Sequence, residues 1–405
     1  MLFFLLFTGY FMLRPVRETM GIAGGVDKLQ WLFTATFVFT LAALPFFGWL
    51  AARVERRLIL PWTYAFFSLN LLAFAIGFWI APTNPWFARV FYVWLSVFNL
   101  IAISVAWSVL ADVFSVTQAK RLFAMMAGGA SVGGLTGPIL GTVLVGLIGH
   151  SGLLVLSAIL LLCAIPCARV MLRWRNRNPL ASDESTSARR PLGGSPFAGA
   201  IEVLRSPYLL GIATFVILLT SVSTFLYFEQ ARLVAENFPD RIDQTRVFGL
   251  LDTIVQTLAV ITQMFIAGRV AQRFGVGVLL VAVPIIVAGG FLWLALAPTF
   301  AVFAVVMVLR RAGEYAFVRP GRETLFTVVS AEAKYKAKNF IDTVVYRGSD
   351  AVSAWVKTLI DMIAEHPAVA ALIGAALSLL WAGNGWLLAR MQSARVGQRR
   401  PGSLD

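Results

Sequence analysis

The sequence predicts an all-α polytopic membrane protein of about twelve transmembrane helices in two six-helix bundles. Three observations predict it. Of the 405 residues, 59% are apolar and only 13% charged, about half the charged share of an ordinary soluble domain. Mean hydropathy is +0.79, more apolar surface than one soluble core can hide. Apolar runs of spanning length recur along the chain, and one polar stretch divides them into halves.

The runs predict spans at roughly 2–23, 29–52, 58–81, 87–114, 122–148, 152–172, 207–230, 246–268, 275–297, 299–330, 338–364 and 367–389. The N-terminal Met1-Leu-Phe-Phe-Leu-Leu-Phe7 lacks the basic start and small-residue site of a cleaved leader, so the first span is expected to begin at once, with a true start upstream left open. Breakers close three hairpins: Pro82-Thr83-Asn84-Pro85, His150-Ser151-Gly152 and Glu365-His366-Pro367. The linker holds Asp183-Glu-Ser-Thr-Ser187 and Gly193-Gly-Ser-Pro196, a flexible composition. The expected organisation is therefore a first bundle over 1–172, a cytoplasmic linker over 173–206, and a second bundle with a short cytoplasmic tail over 207–405.

The net charge of +14 follows a membrane rule rather than a nucleic-acid one. Arg53, Arg56, Arg57, Lys120, Arg121, Arg173, Arg175, Arg177, Arg189, Arg190, Arg205, Arg269, Arg273, Lys334, Lys336, Lys338, Arg390, Arg395, Arg399 and Arg400 fall in alternate loops. The opposite loops hold only Lys28, Arg232, Arg241 and Arg246. This bias puts both termini and the linker in the cytoplasm. No basic soluble module is present to bind nucleic acid.

The halves resemble each other at a shift near 216 residues: Arg53-Val-Glu-Arg-Arg57 falls on Arg269-Val-Ala-Gln-Arg273, and His150 on His366. Ser115-Val-Thr-Gln-Ala-Lys-Arg121 falls near Ser330-Ala-Glu-Ala-Lys-Tyr-Lys336. Together they support a parallel duplication, the arrangement of the major facilitator superfamily.

Charge inside spans is costly, at least about 2.5–3.5 kcal/mol each, so its placement is informative. Spans three, nine and twelve hold none in their interiors, and span six only the terminal Arg169, so all four are expected to face lipid. The first span has Arg14, Arg17 and Glu18 on one face. The tenth has Arg310, Arg311, Glu314, Arg319, Arg322 and Glu323. Glu229, Asp252, Asp342, Arg347 and Asp350 complete the set. Four-residue spacing predicts the pairs Arg14–Glu18, Arg310–Glu314 and Arg319–Glu323, leaving Arg17 and Arg322 to meet an anion. Simple pairing that holds the bundle together is the competing reading of any one of these residues.

Other features yield less. Gly129, Gly133, Gly137 and Gly141 recur every four residues and predict close helix packing; the run lacks the Gly-Lys-Ser/Thr ending of a phosphate loop. Cys163 and Cys167, one turn apart, are expected to be small apolar fillers. His150 and His366 are expected to be solvated in outside turns, and neither a metal cluster nor a nucleophilic triad can be assembled. No enzyme activity, metal or cofactor is predicted.

The runs Leu13-Arg-Pro-Val-Arg-Glu-Thr-Met-Gly21, Pro320-Gly-Arg-Glu-Thr-Leu-Phe326 and Lys334-Tyr-Lys-Ala-Lys-Asn-Phe-Ile-Asp-Thr-Val-Val-Tyr-Arg347 resemble the ATP/ADP translocase family of plastids and bacteria. Gly133-x3-Gly137-Pro138-x2-Gly141 is also similar to a fifth-helix pattern of facilitator-superfamily antiporters. The resemblance implies a secondary transporter with a nucleotide or other organic anion as substrate; a bacterial inner membrane is the expected setting and a monomer the expected form, with the oligomeric state left open. It implies a basic residue late in the first span (Arg17), a glutamate in the seventh (Glu229) and a basic residue in the tenth (Arg322). The nucleotide exchangers have lysine where Arg17 and Arg322 stand, and a fourth-span glutamate that Trp94-Leu-Ser-Val-Phe-Asn99 lacks. The expected substrate site is Arg14, Arg17, Glu18, Glu229, Arg319, Arg322, Glu323 and Arg347, with Glu229 and Asp252 as candidates for coupling. Transport of another solute, proton-coupled through Glu229 or Asp252, and a non-transporting membrane sensor are the alternatives.

Overall fold

The structure is a computed structural model that describes residues 1–53, 56–113, 116–177, 199–364 and 366–398. Among these the chain is helical throughout apart from short connections. The side chains of Arg56, Arg57, Lys120, Arg121, Arg175 and Arg177 lie outside the described residues. So do Ser115, Glu365, Arg399, Arg400 and the linker segment with Ser187, Arg189 and Arg190.

The helices are α1 (Leu2–Ala23), α2 (Leu29–Arg53), α3 (Arg56–Ile80), α4 (Pro85–Val113), α5 (Val116–Arg177), α6 (Ala200–Arg205), α7 (Pro207–Asn237), α8 (Arg241–Thr262), α9 (Gly268–Leu296), α10 (Phe300–Gly313), α11 (Arg319–Leu325), α12 (Ala331–Phe340), α13 (Tyr346–Ile363) and α14 (Pro367–Gln398). Among the described residues, seven continuous stretches are long and apolar enough to cross a membrane; two of them, of 50 and 56 residues, each have the length of two passes.

Local chemistry sets the helix starts. Pro85 opens α4, where a missing N–H costs nothing, and Asn84 Oδ1 accepts the Trp86 N–H at 2.9 Å. Asp240 Oδ1 accepts the N–H groups of Ile242 and Asp243 and so caps α8. Thr299 caps α10 through the Val302 N–H at 3.4 Å.

The predicted turn at His150-Ser151-Gly152 is shifted. Ser151 and Gly152 are helical, and the break in α5 is the single residue Gly149, at φ 65° and ψ −177°. Spans eight and nine are likewise joined by helix: a π turn at Gln263–Ala267 runs into α9, which breaks at Gly275 with φ 75° and ψ −177°. Side chains resist positive φ, which glycine reaches freely, so one residue does the work of a loop. π turns also occupy Glu314–Val318 and Ile341–Val345. The first precedes Pro320, whose ring would clash with the Ala316 carbonyl in a regular helix; the wider turn accommodates it.

Contacts divide the chain into two compact units: Met1–Lys28 with Val38–Gly193 and Phe238–Thr253, and Leu29–Phe37 with Gly194–Asn237 and Ile254–Asp405. The first is built on Leu6, Met12, Leu60, Tyr64, Phe91 and Phe98, with Trp94 stacked on Phe98 at 5.3 Å. The glycine face of α5 lies against α1 as expected. A Cβ on Gly133 would stand 2.6 Å from the Phe4 carbonyl oxygen, and one on Gly137 2.7 Å from that of Thr8. The second unit is built on Tyr208, Phe215, Leu280, Phe303, Phe326 and Trp381.

The charge-poor spans expose apolar side chains: Trp62, Phe66 and Leu69 on α3, Ile159 and Leu162 on α5, Ile285 and Trp293 on α9, Leu379 and Leu387 on α14. Arg89 Nε donates to the Gly24 carbonyl at 2.7 Å, so this arginine joins Lys28 in the sparsely basic set.

Candidate functional site

In the first unit, Arg14 pairs with Asp252 of α8, Nε to Oδ2 at 3.7 Å, and not with Glu18 as spacing predicts. Glu18 is taken by its neighbour Arg17, Nη1 to Oε1 at 3.3 Å. The buried carboxylate of Asp252 would be costly without a cation, and that tertiary demand overrides a helix-surface pair worth only a few tenths of a kcal/mol. The Arg17 guanidinium also lies over the Tyr92 ring at 4.2 Å, a cation–π contact. Thr19 and Thr245 share a 2.7 Å hydrogen bond that ties α1 to α8 beside these charges. Arg17 is therefore not left over.

His150 is not the solvated turn residue expected. Its Nε2 meets Thr245 Oγ1 at 2.9 Å. Burial, with the Arg241 charge nearby, pushes its pKa down to about 4, so the ring is neutral at pH 7. His366 is exposed.

In the second unit, Arg310 Nη1 meets Glu314 Oε2 at 3.1 Å, as spacing predicts. The other Glu314 oxygen accepts from Arg319 at 3.3 Å. The predicted Arg319–Glu323 pair is thus absent, and Glu323 meets Lys338 at 2.6 Å. The π turn explains the exchange: at Glu314–Val318 the repeat lengthens, which favours a five-residue partner over a four-residue one. Arg322, expected to be left over, meets Asp342 at 3.1 Å. Arg347 meets Asp350 at 3.6 Å. Glu229 is held by Arg232, Oε1 to Nη2 at 2.5 Å. The Arg319 guanidinium lies 4.3 Å over the Tyr315 ring.

The expected site residues therefore fall into two sets: Arg14, Arg17 and Glu18 in the first unit, and Glu229, Arg319, Arg322, Glu323 and Arg347 in the second. Sequence reasoning left out Tyr92, Lys338 and Lys357. Lys357 is buried on α13, pairs with Asp361, and lines a cavity of about 20 Å³ with Glu229. A lysine within a predicted span was the signal for it.

Around the last two π turns, Arg310, Arg311, Arg319, Arg322, Lys338 and Arg347 stand against Glu314, Glu323, Asp342 and Asp350, six basic side chains to four acidic. The surplus is positive and partly buried, with Arg310 and Arg311 each under a tenth exposed. Guanidinium and ammonium groups form charge-assisted hydrogen bonds with anions. Among the described residues no cluster of metal-ligating side chains occurs.

Membrane-length helices, exposed apolar surfaces and ion pairs within each unit define a class: polytopic helical membrane proteins. A sequence model of the Major Facilitator Superfamily matches residues 1–333, and the chain belongs to that superfamily. It is a multi-pass membrane transporter in kind, not an enzyme. Two solved structures share the fold. A bacterial homolog of the human lysosomal transporter Spinster, inward-facing and unoccupied, is 15% identical, with a TM-score of 0.64 over 97% of this chain and 96% of that one. A bacterial homologue of the iron transporter ferroportin, inward-facing, is 14% identical, with a TM-score of 0.66 over 96% of both chains. No curated protein sequence matches.

Proposed function

We propose that this transporter moves an organic anion by alternating access, and in the sharpest form a nucleotide, as exchange or uptake. The carrying observation is the six-to-four surplus of basic over acidic side chains, partly buried, around the last two π turns of the second unit. The proposed substrate contacts are Arg14, Arg17 and Glu18 with Glu229, Arg319, Arg322, Glu323 and Arg347. Guanidinium forks suit phosphate geometry, and Tyr92 and Tyr315 already steady two of them. The motif runs that resemble the ATP/ADP translocases favour the nucleotide. The proposed setting is a bacterial inner membrane with both termini and the linker cytoplasmic, from the Lys/Arg bias.

One observation favours a proton-coupled variant of this reading. Asp252, a coupling candidate with Glu229, is a buried carboxylate paired with Arg14 across two helices.

The test is a melting-temperature screen of the purified protein against ATP, ADP and smaller phosphorylated metabolites, followed by exchange in liposomes with any stabilising compound. Arg17→Ala and Arg322→Ala should each weaken binding by roughly ten- to a hundredfold, the worth of a charge-assisted hydrogen bond. Wild-type affinity and rate in both variants would make these arginines structural and remove them from the site.

A further inference from the structure

A larger cavity lies within the first unit, beside the end of α1 that holds Met20. It has a volume of about 370 Å³ and forms where the α3–α4 turn, the Gly149 break and the start of α8 meet. Phe78 and Trp79 supply an aromatic wall, Ser151 a hydroxyl, and Arg241 the charge. None of its lining side chains is acidic.

Arg241 is held in place and keeps donors to spare. It donates to the Pro82 carbonyl through Nη1, one of the five N–H groups of a guanidinium. The acids beside it in sequence are engaged elsewhere: Asp240 caps α8, and Asp243 meets Arg246 at 3.3 Å. His150 also lines the cavity and is neutral at pH 7, so it neither adds to nor cancels the arginine charge.

Trp79 of the lining, and Ile80 and Leu147 next in sequence to lining residues, are exposed apolar side chains. Trp79 is 79% exposed, Ile80 70% and Leu147 78%. These residues close the α3 and α5 spans just short of the turns that form the cavity, the depth where tryptophan marks the boundary between hydrocarbon and headgroups. A basic, hydroxyl-bearing pocket beside exposed apolar side chains at that depth matches an anionic head on an apolar tail.

We propose that this cavity is a phospholipid site, with the lipid phosphate on Arg241 and Ser151 and the acyl chains along Trp79, Ile80 and Leu147. A free phosphate ester would supply the same head chemistry without the chains, and the experiment separates the two.

The experiment uses the full-length protein purified in detergent and stripped of lipid. Dioleoyl phosphatidylglycerol is added back, and bound lipid is counted by native mass spectrometry. sn-Glycerol 3-phosphate is the chain-free probe. The expected result is retention of phosphatidylglycerol by the wild type, at least about tenfold weaker retention in Arg241→Gln, and no binding of glycerol 3-phosphate at the same concentration. Arg246→Gln, which removes an exposed arginine one turn away, should retain lipid as the wild type does. Since Arg241 also clips the α3–α4 turn, Arg241→Lys and Ser151→Ala give second readings from better-tolerated changes; each should lose lipid severalfold. Wild-type retention in Arg241→Gln, or in both Arg241→Lys and Ser151→Ala, would overturn the site. Equal binding of glycerol 3-phosphate and the lipid would overturn the lipid assignment in favour of a soluble phosphate ester.

Discussion

Replacing Glu314 by glutamine removes one negative charge that two arginines share. Glu314 Oε2 lies 3.1 Å from Arg310 Nη1, and Oε1 lies 3.3 Å from Arg319. Glutamine keeps the shape and one acceptor oxygen but leaves both guanidiniums uncompensated. Their exposures differ: the Arg310 side chain is 8% exposed and that of Arg319 53%. Solvent screens the second, so its loss counts for little. The first falls in the range for breaking a buried pair, about 3–5 kcal/mol. Ser223, which accepts from Arg310 at 2.6 Å, softens the cost towards about 3 kcal/mol. For a cooperative unit of about 200 residues, that lowers the melting temperature by roughly 6–12 °C, readable by intrinsic tryptophan fluorescence in detergent. Adding Arg310→Met should restore most of the loss, because it removes the stranded charge. A melting temperature within about 1 °C of wild type for Glu314→Gln, or no recovery in the double variant, would refute the claim that this triad is electrostatically coupled.

Gly137→Ala should destabilise by about 1–3 kcal/mol, since its Cβ would meet Thr8 O at 2.7 Å, Phe11 Cβ at 2.8 Å and Met12 N at 2.9 Å; thermal unfolding measures it, and an unchanged midpoint would mean that α1 moves aside freely. The depressed pKa of His150, about 4 against 6.5, makes the unfolded chain bind a proton that the folded protein refuses. Stability should therefore fall as pH is lowered from about 6.5 towards 4, by up to about 3 kcal/mol, and His150→Gln should flatten that part of the melting-temperature profile. Ser187→Cys in intact cells should stay unlabelled by an impermeant thiol reagent, from the Lys/Arg bias; strong labelling from outside would invert the proposed topology.

The helical, polytopic character was legible because hydropathy and span length are local properties of the chain. The close packing of α1 on α5 was legible for the same reason, through glycines four residues apart. The hairpin breaks were legible only in place: the sequence marks a turn near residue 150, but nothing in a run of glycines and small residues says that Gly149 alone bends the helix. The ionic partners were read least well. Spacing offers each charge a neighbour on its own helix, and Arg310 takes it. Arg14 prefers Asp252, which is distant in sequence, and Arg319 reaches back to Glu314 because a π turn changes the repeat. Neither a tertiary partner nor a π turn has a local signature. The eight proposed substrate contacts thus keep their residue types as support, while Arg17 and Arg322 are not left over by their neighbours: Arg17 takes Glu18 and Arg322 takes Asp342.

The membership of Phe238–Thr253 in the first unit bears on how the protein can be divided. A cut in the linker near Ser187 looks natural from hydropathy, yet the upstream fragment would lack Thr245 and Asp252. Arg14 would keep its charge without Asp252, and His150 and Thr19 would lose the hydroxyl they share. Fragments made from two genes should therefore be unstable when expressed singly and accumulate only when made together, each acting as a folding template for the other.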